Sequence, residues 1–179
     1  MKILKKVLIV VAVIILLPFI IAIFIPRTYT VTVTENINQP KQVVYDYMRK
    51  LDNQKKYSIW VMADPQLNPE IIGTDGTIGA IQKWNSKDDN VGEGEQEITS
   101  LTGDRMEVDL RFKRPFEGHA RAANNFEAVS PATTKVTTQF YSDDKYPFNL
   151  PSYLFGRKMI EEAQTKNLAN LKKNLEQGQ

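Results

Sequence analysis

A long uncharged stretch near the amino terminus constrains this chain more than any other feature. From Val7 to Ile25, 19 residues carry no charge, and 16 of them are Val, Leu, Ile or Phe. At about 1.5 Å per residue, a helix of that length spans roughly the 30 Å hydrocarbon core of a bilayer. The apolar side chains together contribute roughly −5 to −10 kcal/mol to insertion. The stretch therefore predicts a transmembrane helix over residues 7–25.

A cleaved secretory signal is the alternative interpretation of this stretch. Lys2, Lys5 and Lys6 resemble the basic amino-terminal region of such a signal. However, the apolar run is longer than the roughly 7 to 15 residues that are usual in signals. It also ends in Ile25-Pro26-Arg27, without the small-x-small pattern of a cleavage site. These two features favour an uncleaved anchor.

The charges on either side of the run predict its orientation. Three lysines precede it, Arg27 follows it, and the next basic residue is Lys41. Because the more basic flank stays in the cytoplasm, residues 1–6 are expected there. The protein is then a single-pass protein of the cell membrane. Residues 28–179 have the length of one domain and are expected in the periplasm or outside the cell.

Charge and composition exclude several classes of function. The overall charge of +2 combines +4 in residues 1–27, which hold four basic and no acidic residues, with −2 in the rest, where there are 19 basic and 21 acidic residues. A slightly acidic exported part is a poor binder of nucleic acid, so no such partner is expected. The chain has no cysteine and one histidine, which excludes a disulfide framework, a thiol nucleophile and a Cys/His zinc site. No metal or other cofactor is expected.

Residues 28–179 show strand and helix patterns in a definite order. Residues 29–34 alternate apolar and threonine side chains, which predicts a half-buried strand. Pro40 then opens a short helix, with Val44 and Leu51 at the two ends of its apolar face. Turn signals recur after this helix, and the stretches between them predict about six antiparallel strands. Residues 157–177 form a long amphipathic helix that must pack on the sheet, so the fold class is α+β.

Short motifs in a fixed order carry a family resemblance along nearly all of residues 28–179. They are Ile37-Asn38-Gln39-Pro40 with Val43-Val44-Tyr45, Trp60, Asp64-Pro65, Gly79-Ala80 with Trp84, Val91-Gly92-Glu93-Gly94, Phe112 with Arg114-Pro115, and Asn167-Leu168-Ala169-Asn170-Leu171-Lys172. In this order they resemble the SRPBCC superfamily (START-like), in particular its polyketide cyclase/dehydrase-like branch. The resemblance implies the helix-grip fold, in which a curved antiparallel sheet of about seven strands surrounds the long carboxyl-terminal helix. It also implies a cavity for an apolar or amphipathic small molecule, but no single reaction.

Side chains on the inner face of the sheet are candidates for lining this cavity. Asn124 lies on the apolar face of its strand, where an unpaired amide would cost about 1 to 3 kcal/mol. It either pairs with a neighbouring strand or a water, or it faces the cavity and orients a ligand. Aromatic residues at alternate strand positions are also typical of a plain core. The candidate ligand-binding residues are Trp60, Trp84, Leu110, Phe112, Asn124, Phe126 and Met159.

Three other patterns fit structural roles better than functional ones. By strand alternation His119 faces outward, so no catalytic residue is assigned. The acidic residues between 88 and 97 lack the ligand spacing of a calcium loop. Gly73, Gly76 and Gly79 precede no helix and are expected to be turn glycines rather than a phosphate site.

Three hypotheses of function remain. The first is a non-enzymatic, membrane-anchored module that binds a hydrophobic small molecule or lipid. The second is an enzyme of the cyclase/dehydrase kind, in which a pocket Tyr, Asp or Glu does acid–base work. The third is a protein-interaction or stress-response domain with a filled cavity. A pocket of about 300 to 1,000 Å³ would support the first two. The aromatic segment 146–159 is expected to gate the cavity or to touch the membrane.

Overall fold

A computed structural model describes residues 2–178 as an amino-terminal helix joined to an α+β fold. The helices are α1 (Lys2–Phe24), α2 (Lys41–Met48), α3 (Ile59–Ala63), α4 (Asn149–Pro151) and α5 (Arg157–Gln177). The strands are β1 (Thr30–Ile37), β2 (Glu70–Ile72), β3 (Ile81–Asn85), β4 (Glu93–Leu101), β5 (Arg105–Arg114), β6 (Gly118–Ser130) and β7 (Thr133–Ser142). A 3-10 turn (Leu51–Lys56) precedes α3, and a π-helical turn (Ser152–Gly156) joins α4 to α5.

The strands form one curved antiparallel sheet of seven strands in the order β1-β7-β6-β5-β4-β3-β2. Six of them follow one another along the chain as a meander, and β1 pairs with the last strand at one edge. α5 packs along the inner face of the sheet and lies against β1. The predicted α+β class and helix-grip arrangement are therefore confirmed.

Alternating side chains explain why these segments form strands with one buried face. In β5, Met106 and Val108 are buried, whereas the charged residues between them lie on the outer face. In β1, Val31 is buried and Thr30 and Thr32 are exposed. The alternation of side chains that predicted both strands thus matches the alternation of buried and exposed residues along them.

The region around α2 differs from the prediction in two details. Pro40 is the N-cap of α2, with ψ of 145°, rather than its first helical residue. The helix ends at Met48, and Leu51, predicted on its apolar face, begins the 3-10 turn. The carboxylate of Asp75 accepts a hydrogen bond of 2.8 Å from the Leu51 N–H, which fixes the start of this turn. Leu51 is still fully buried, because the turn points it into the same core.

α5 fills only one end of the inner face. Its buried residues are Ala163, Asn167, Leu168 and Leu171, of which Leu168 and Leu171 belong to the main core. Before Ala163, the helix contributes the half-buried Ile160 to a second, smaller cluster. The amino-terminal turns of α5 therefore cover the sheet less completely than the rest of the helix.

α1 has little packed surface along its length. It contains the predicted segment 7–25 up to Phe24 and begins earlier, at Lys2, so the three lysines belong to the same helix. By length and composition α1 is able to cross a membrane, and Ala22 is its buried residue.

The connection from α1 to β1 is hydrogen-bonded to one segment of the chain. The carbonyls of Ile25, Arg27 and Tyr29 accept hydrogen bonds of 2.9, 2.8 and 3.0 Å from groups within residues 142–149. This connection is thus held in place along its length.

Replacing Leu171 tests the packing of α5 against the sheet. Leu171→Ala removes a fully buried side chain and is expected to lower the free energy of unfolding by about 2 to 5 kcal/mol. Urea denaturation of the full chain in detergent micelles measures this change. The exposed neighbour Lys173 is the control, and Lys173→Ala is expected to stay within about 0.5 kcal/mol of the wild type. Equal effects of the two substitutions would contradict this packing.

Candidate ligand-binding groove

Strand register places three residues of the family motifs, Trp84, Gly94 and Phe112, in one row with Gly118 across the inner face. Trp84 of β3 pairs with Gly94 of β4, Gly94 pairs with Phe112 of β5, and Phe112 pairs with Gly118 of β6. Directly paired residues of neighbouring strands point to the same face of the sheet. The row lies at the end of the sheet where α5 begins and where β1 receives the chain from α1.

Gly94 in this row leaves space for the Trp84 ring. A side-chain carbon on Gly94 would lie 2.6 Å from Cζ2 of Trp84 and 2.7 Å from the carbonyl oxygen of Arg111. The Trp84 indole lies over this glycine and meets the Phe112 ring edge-on, with 6.1 Å between ring centroids. Gly94 therefore fixes where the indole lies.

Half-buried apolar side chains continue from this row under the start of α5. We call this surface the groove. Leu110, Phe112, Ala122 and Ile160 pack against the second core cluster, yet each keeps part of its surface exposed. Trp84, also half-buried, extends the surface through its contact with Phe112. The groove is defined by Trp84, Leu110, Phe112, Ala122 and Ile160.

A wider hollow adjoins the groove at Trp84. It has a volume of about 630 Å³ and is lined by the connection 64–70, by the ends of β3 and β4 that contain Trp84 and Gly94, and by Lys113. Trp84 is therefore shared by the groove and the hollow. This volume lies within the range of about 300 to 1,000 Å³ that small-molecule sites occupy.

The edge of the hollow is polar and charged. Lys83, Lys87 and Lys113 contribute cations, and Glu70 and Glu93 contribute anions. The hydroxyl of Ser86 donates a hydrogen bond of 2.5 Å to Asp64 in the connection, and this bond holds the pKa of Asp64 below its usual value. The hollow can thus accommodate a polar group next to the indole.

Neutral amides occupy the inner face beside the groove. Gln82 is buried and donates to the carbonyl of Leu51 at 2.8 Å, and Gln96 donates to Gln82 Oε1 at 2.6 Å. Gln96 and the half-buried Gln54 also exchange hydrogen bonds, the shorter of 2.7 Å. These amides satisfy one another without a charged partner, so they add polarity without acid–base chemistry.

Asn124 adopts the first of its two predicted alternatives. Its Oδ1 accepts a hydrogen bond of 2.7 Å from the hydroxyl of Thr138, which lies opposite it on β7. The bond pairs the amide with a neighbouring strand, and the residue is half-buried. Its assignment to the ligand site stays a prediction.

The remaining candidate residues lie apart from the groove. Phe126 is 3% exposed in the main core, where its ring meets Tyr45 edge-on at 5.3 Å. Trp60 is half-buried on the short helix α3. Met159 is exposed on the first turn of α5. The same alternation pattern thus places Phe112 in the groove and Phe126 in the core, because the two residues lie at different distances from the uncovered end of the sheet.

A hydrogen-bonded group that the sequence analysis did not identify lies at the same end of the fold. The Tyr29 hydroxyl is 3.1 Å from the Ser152 hydroxyl, which donates to Asp144 Oδ2 at 2.8 Å. Tyr29 packs against the second core cluster beside the groove, and burial raises its pKa. Ser152 opens the π-helical turn, a distortion that is frequent at functional sites. Tyr29 is more than 100 residues away from Ser152 and Asp144 in the sequence, so no local pattern predicts this group.

His119 lies on the outer face, as strand alternation predicted. It is half-exposed, and its Nε2 is 3.8 Å from Asp109. Gly73, Gly76 and Gly79 all have φ near +80°, which confirms them as turn glycines. Within residues 2–178, no group of three or more His, Asp or Glu side chains is placed to hold a metal ion.

Solved structures of other proteins share this fold. Ara h 8.0201 has a TM-score of 0.60 at 13% identity, over 83% of this chain and 99% of its own. MLL2253 from Mesorhizobium loti has a TM-score of 0.60 at 12% identity, over 84% and 99%. The di-domain ARO/CYC BexL from the BE-7585A biosynthetic pathway has a TM-score of 0.59 at 13% identity, over 82% of this chain and 49% of BexL.

This chain thus spans about half the length of BexL. At these identities the likeness shows the fold alone. No protein-family model matches the sequence, and no curated protein matches it.

Substitution of Gly94 tests the position of the indole in the groove. In a Trp60→Phe background, where Trp84 is the remaining tryptophan, Gly94→Ala is expected to displace the indole and shift its fluorescence to longer wavelength. Gly118→Ala is the matched control, because its added carbon would meet Phe112 at an ordinary 3.8 Å. Unchanged emission in the Gly94 variant would show that Trp84 does not lie over Gly94.

Proposed function

We propose that this chain is a membrane-anchored member of the SRPBCC superfamily that binds a hydrophobic small molecule or a lipid in the groove. The observation that carries this proposal is the position of the groove. Its half-buried apolar side chains lie at the end of the sheet that α5 covers least, next to a hollow of about 630 Å³. The motifs that resemble the SRPBCC superfamily support a hydrophobic ligand, since that resemblance implies a cavity for an apolar or amphipathic molecule, and the fold itself is shared with Ara h 8.0201 and BexL.

The lining of the site favours an amphipathic ligand. Phe112 and Ile160 offer an apolar surface for a chain or ring, and Trp84 links this surface to the hollow. The exposed cation of Lys87 at the edge of the hollow suits a polar or anionic end group, whereas Lys113 is paired with Glu93 at 3.5 Å. A ligand of this form would bury its apolar part in the groove and leave its polar end in the hollow.

Binding is favoured over chemistry by the polar groups of the inner face. The buried polar side chains of residues 2–178 are serines, threonines, asparagines and glutamines, none of which titrates near neutral pH. The amides of Gln82 and Gln96 are occupied by hydrogen bonds within the protein. Apolar contact then supplies the binding energy, at about 25 cal/mol per Å² of buried apolar surface.

The membrane anchor completes the proposed function. The uncharged segment within α1 is long enough to cross a bilayer, and the lysines at its start favour a cytoplasmic amino terminus. The groove would then lie on the periplasmic or extracellular side, at the end of the fold nearest to the membrane. A lipid from the adjacent leaflet is a ligand within reach of such a site.

Filling the groove is expected to abolish ligand binding. Ala122→Leu adds three carbons to the half-buried surface of the groove, where Ala122 lies opposite Val108 and diagonal to Leu110. Ala128→Leu makes the same change at an exposed position of the same strand, roughly 20 Å away. Native mass spectrometry of the purified chain is expected to detect a bound lipid in the wild type and in Ala128→Leu, and little in Ala122→Leu. Thermal shifts with a panel of fatty acids and isoprenoids measure the same difference. A wild-type chain that retains no lipid and shows no thermal shift would contradict the proposal.

One observation favours a cyclase- or dehydrase-like enzyme as a second candidate. Tyr29 lies beside the groove, burial raises its pKa, and Ser152 links its hydroxyl to the Asp144 carboxylate. Because Ser152 donates to Asp144, the Tyr29 hydroxyl donates to Ser152 in this structure. By turning its O–H from Ser152 to a bound carbonyl group, a neutral tyrosine in this position is able to donate a hydrogen bond to that group.

Tyr29→Phe separates the two candidates. The substitution removes one hydroxyl and keeps the ring that packs against the second core cluster. For a binding module, the ligand that copurifies is expected to bind the variant with unchanged affinity and to keep its mass on incubation with either protein. A change of ligand mass with the wild type that is absent with Tyr29→Phe would favour the enzyme instead. Mass spectrometry of the extracted ligand before and after incubation measures this.

A further inference from the structure

We propose that a patch of exposed apolar side chains on the α+β fold inserts into the interfacial layer of the same bilayer that α1 crosses. We call this patch the apolar rim. This inference rests on the proposed membrane anchor and adds which side of the fold faces the lipid. The apolar rim consists of Phe116, Tyr146, Phe148, Leu154, Phe155 and Met159.

The apolar rim is unusually exposed for large apolar residues. Phe116, Phe148 and Phe155 are 72%, 60% and 73% exposed, and Leu154 and Met159 are more than half exposed. Phe116, in the β5–β6 turn, meets Phe148 with 6.1 Å between ring centroids, so the patch joins two parts of the chain. Clustered exposure of this kind marks a contact surface rather than scattered surface residues.

Hydrogen bonds place the apolar rim beside the last turns of α1. The hydroxyl of Tyr146 donates to the carbonyl of Phe19 at 3.2 Å, and the side-chain amide of Asn149 donates to the carbonyls of Ala22 and Ile25 at 2.8 and 2.9 Å. Phe19 lies six residues before Ile25 in the uncharged run, which is about 9 Å along the helix. The segment 146–149 thus runs alongside the last 9 Å or so of the predicted span.

The hydrogen bond from Asn149 to Ala22 replaces a backbone hydrogen bond that is missing at the end of α1. In a continuous helix the carbonyl of Ala22 would accept from the backbone N–H of residue 26, but Pro26 has none. Asn149 supplies the missing donor from a position that is 1% exposed. An unsatisfied carbonyl is costly in a lipid environment, so this bond suits a helix end that lies close to lipid.

These positions favour lipid over a protein partner as the occupant of the apolar rim. The rim continues the apolar surface of α1, and a bilayer that surrounds Phe19 to Ile25 also reaches side chains at the same depth. Aromatic rings are typical of the membrane interface, where Tyr146 and Phe148 would lie. Lys145, next to Tyr146, and Arg157, between Phe155 and Met159, are exposed and are able to meet lipid phosphates.

Single-cysteine labelling measures the depth of the apolar rim directly. The chain has no cysteine, so each introduced one is unique. Phe148→Cys and Phe155→Cys, both exposed positions whose change spares the core, would carry an environment-sensitive fluorophore in the full chain reconstituted into phosphatidylcholine and phosphatidylglycerol vesicles. Val13→Cys in α1 marks the depth of the span. Val129→Cys is the matched control, because Val129 is an exposed apolar residue roughly 36 Å along β6 from Gly118.

The labels at 148 and 155 are expected to show blue-shifted emission and to lose most of their intensity when lipids with a quencher on the acyl chain are included. The label at 129 is expected to behave as in water. Labels at 148 and 155 that match the label at 129 would overturn the inference and leave the rim to a protein partner. If the label at 13 is quenched in that case, the anchor survives and insertion of the rim alone fails. If the label at 13 is not quenched, the proposed anchor itself fails.

Discussion

The packing of α5 against the inner face of the sheet determines where the groove lies. From Ala163 onwards the helix buries its apolar stripe in the main core, but its first turn leaves Met159 exposed and Ile160 half-buried. Beneath these turns the sheet carries small residues, such as Gly118 and Ala122, which do not fill the space themselves. The groove is therefore the direct result of a helix that closes one end of the sheet and leaves the other thinly covered.

The polar side chains of the interior bear on the choice between the two candidate functions, binding and catalysis. Gln82 and Gln96 are satisfied by neutral hydrogen bonds, and such pairs stabilise a shape without offering or taking a proton at neutral pH. Tyr29, beside the groove, carries a titratable hydroxyl; burial raises its pKa, and Ser152 links it to the Asp144 carboxylate. The proposed binding function and the enzyme alternative therefore differ in what this one hydroxyl does.

Local patterns predicted the elements of the fold, whereas the site depends on distant contacts. A period of two along β5 and an apolar stripe along α5 are visible in short segments, and together with the order of turns they led to the correct α+β class. The same patterns gave no way to separate Phe112 from Phe126, because the difference lies in a distant contact: Phe126 packs against Tyr45 of α2 in the main core, whereas Phe112 lies by the second, smaller cluster. Asn149 and Tyr29 were missed for a related reason, since their partners lie more than 100 residues away.

The hydrogen-bonded connection between α1 and β1 limits how far the α+β fold can move relative to α1. A free linker of five residues would allow an end-to-end distance of roughly 12 Å and a wide range of orientations. Here the carbonyls of Ile25, Arg27 and Tyr29 are all bonded to residues 142–149, so the fold turns with its helix and not independently of it. With α1 as the proposed anchor, such a protein cannot carry a ligand from one membrane to another. Whatever delivers or collects the ligand has to come to this membrane surface, and it meets the groove in a single orientation.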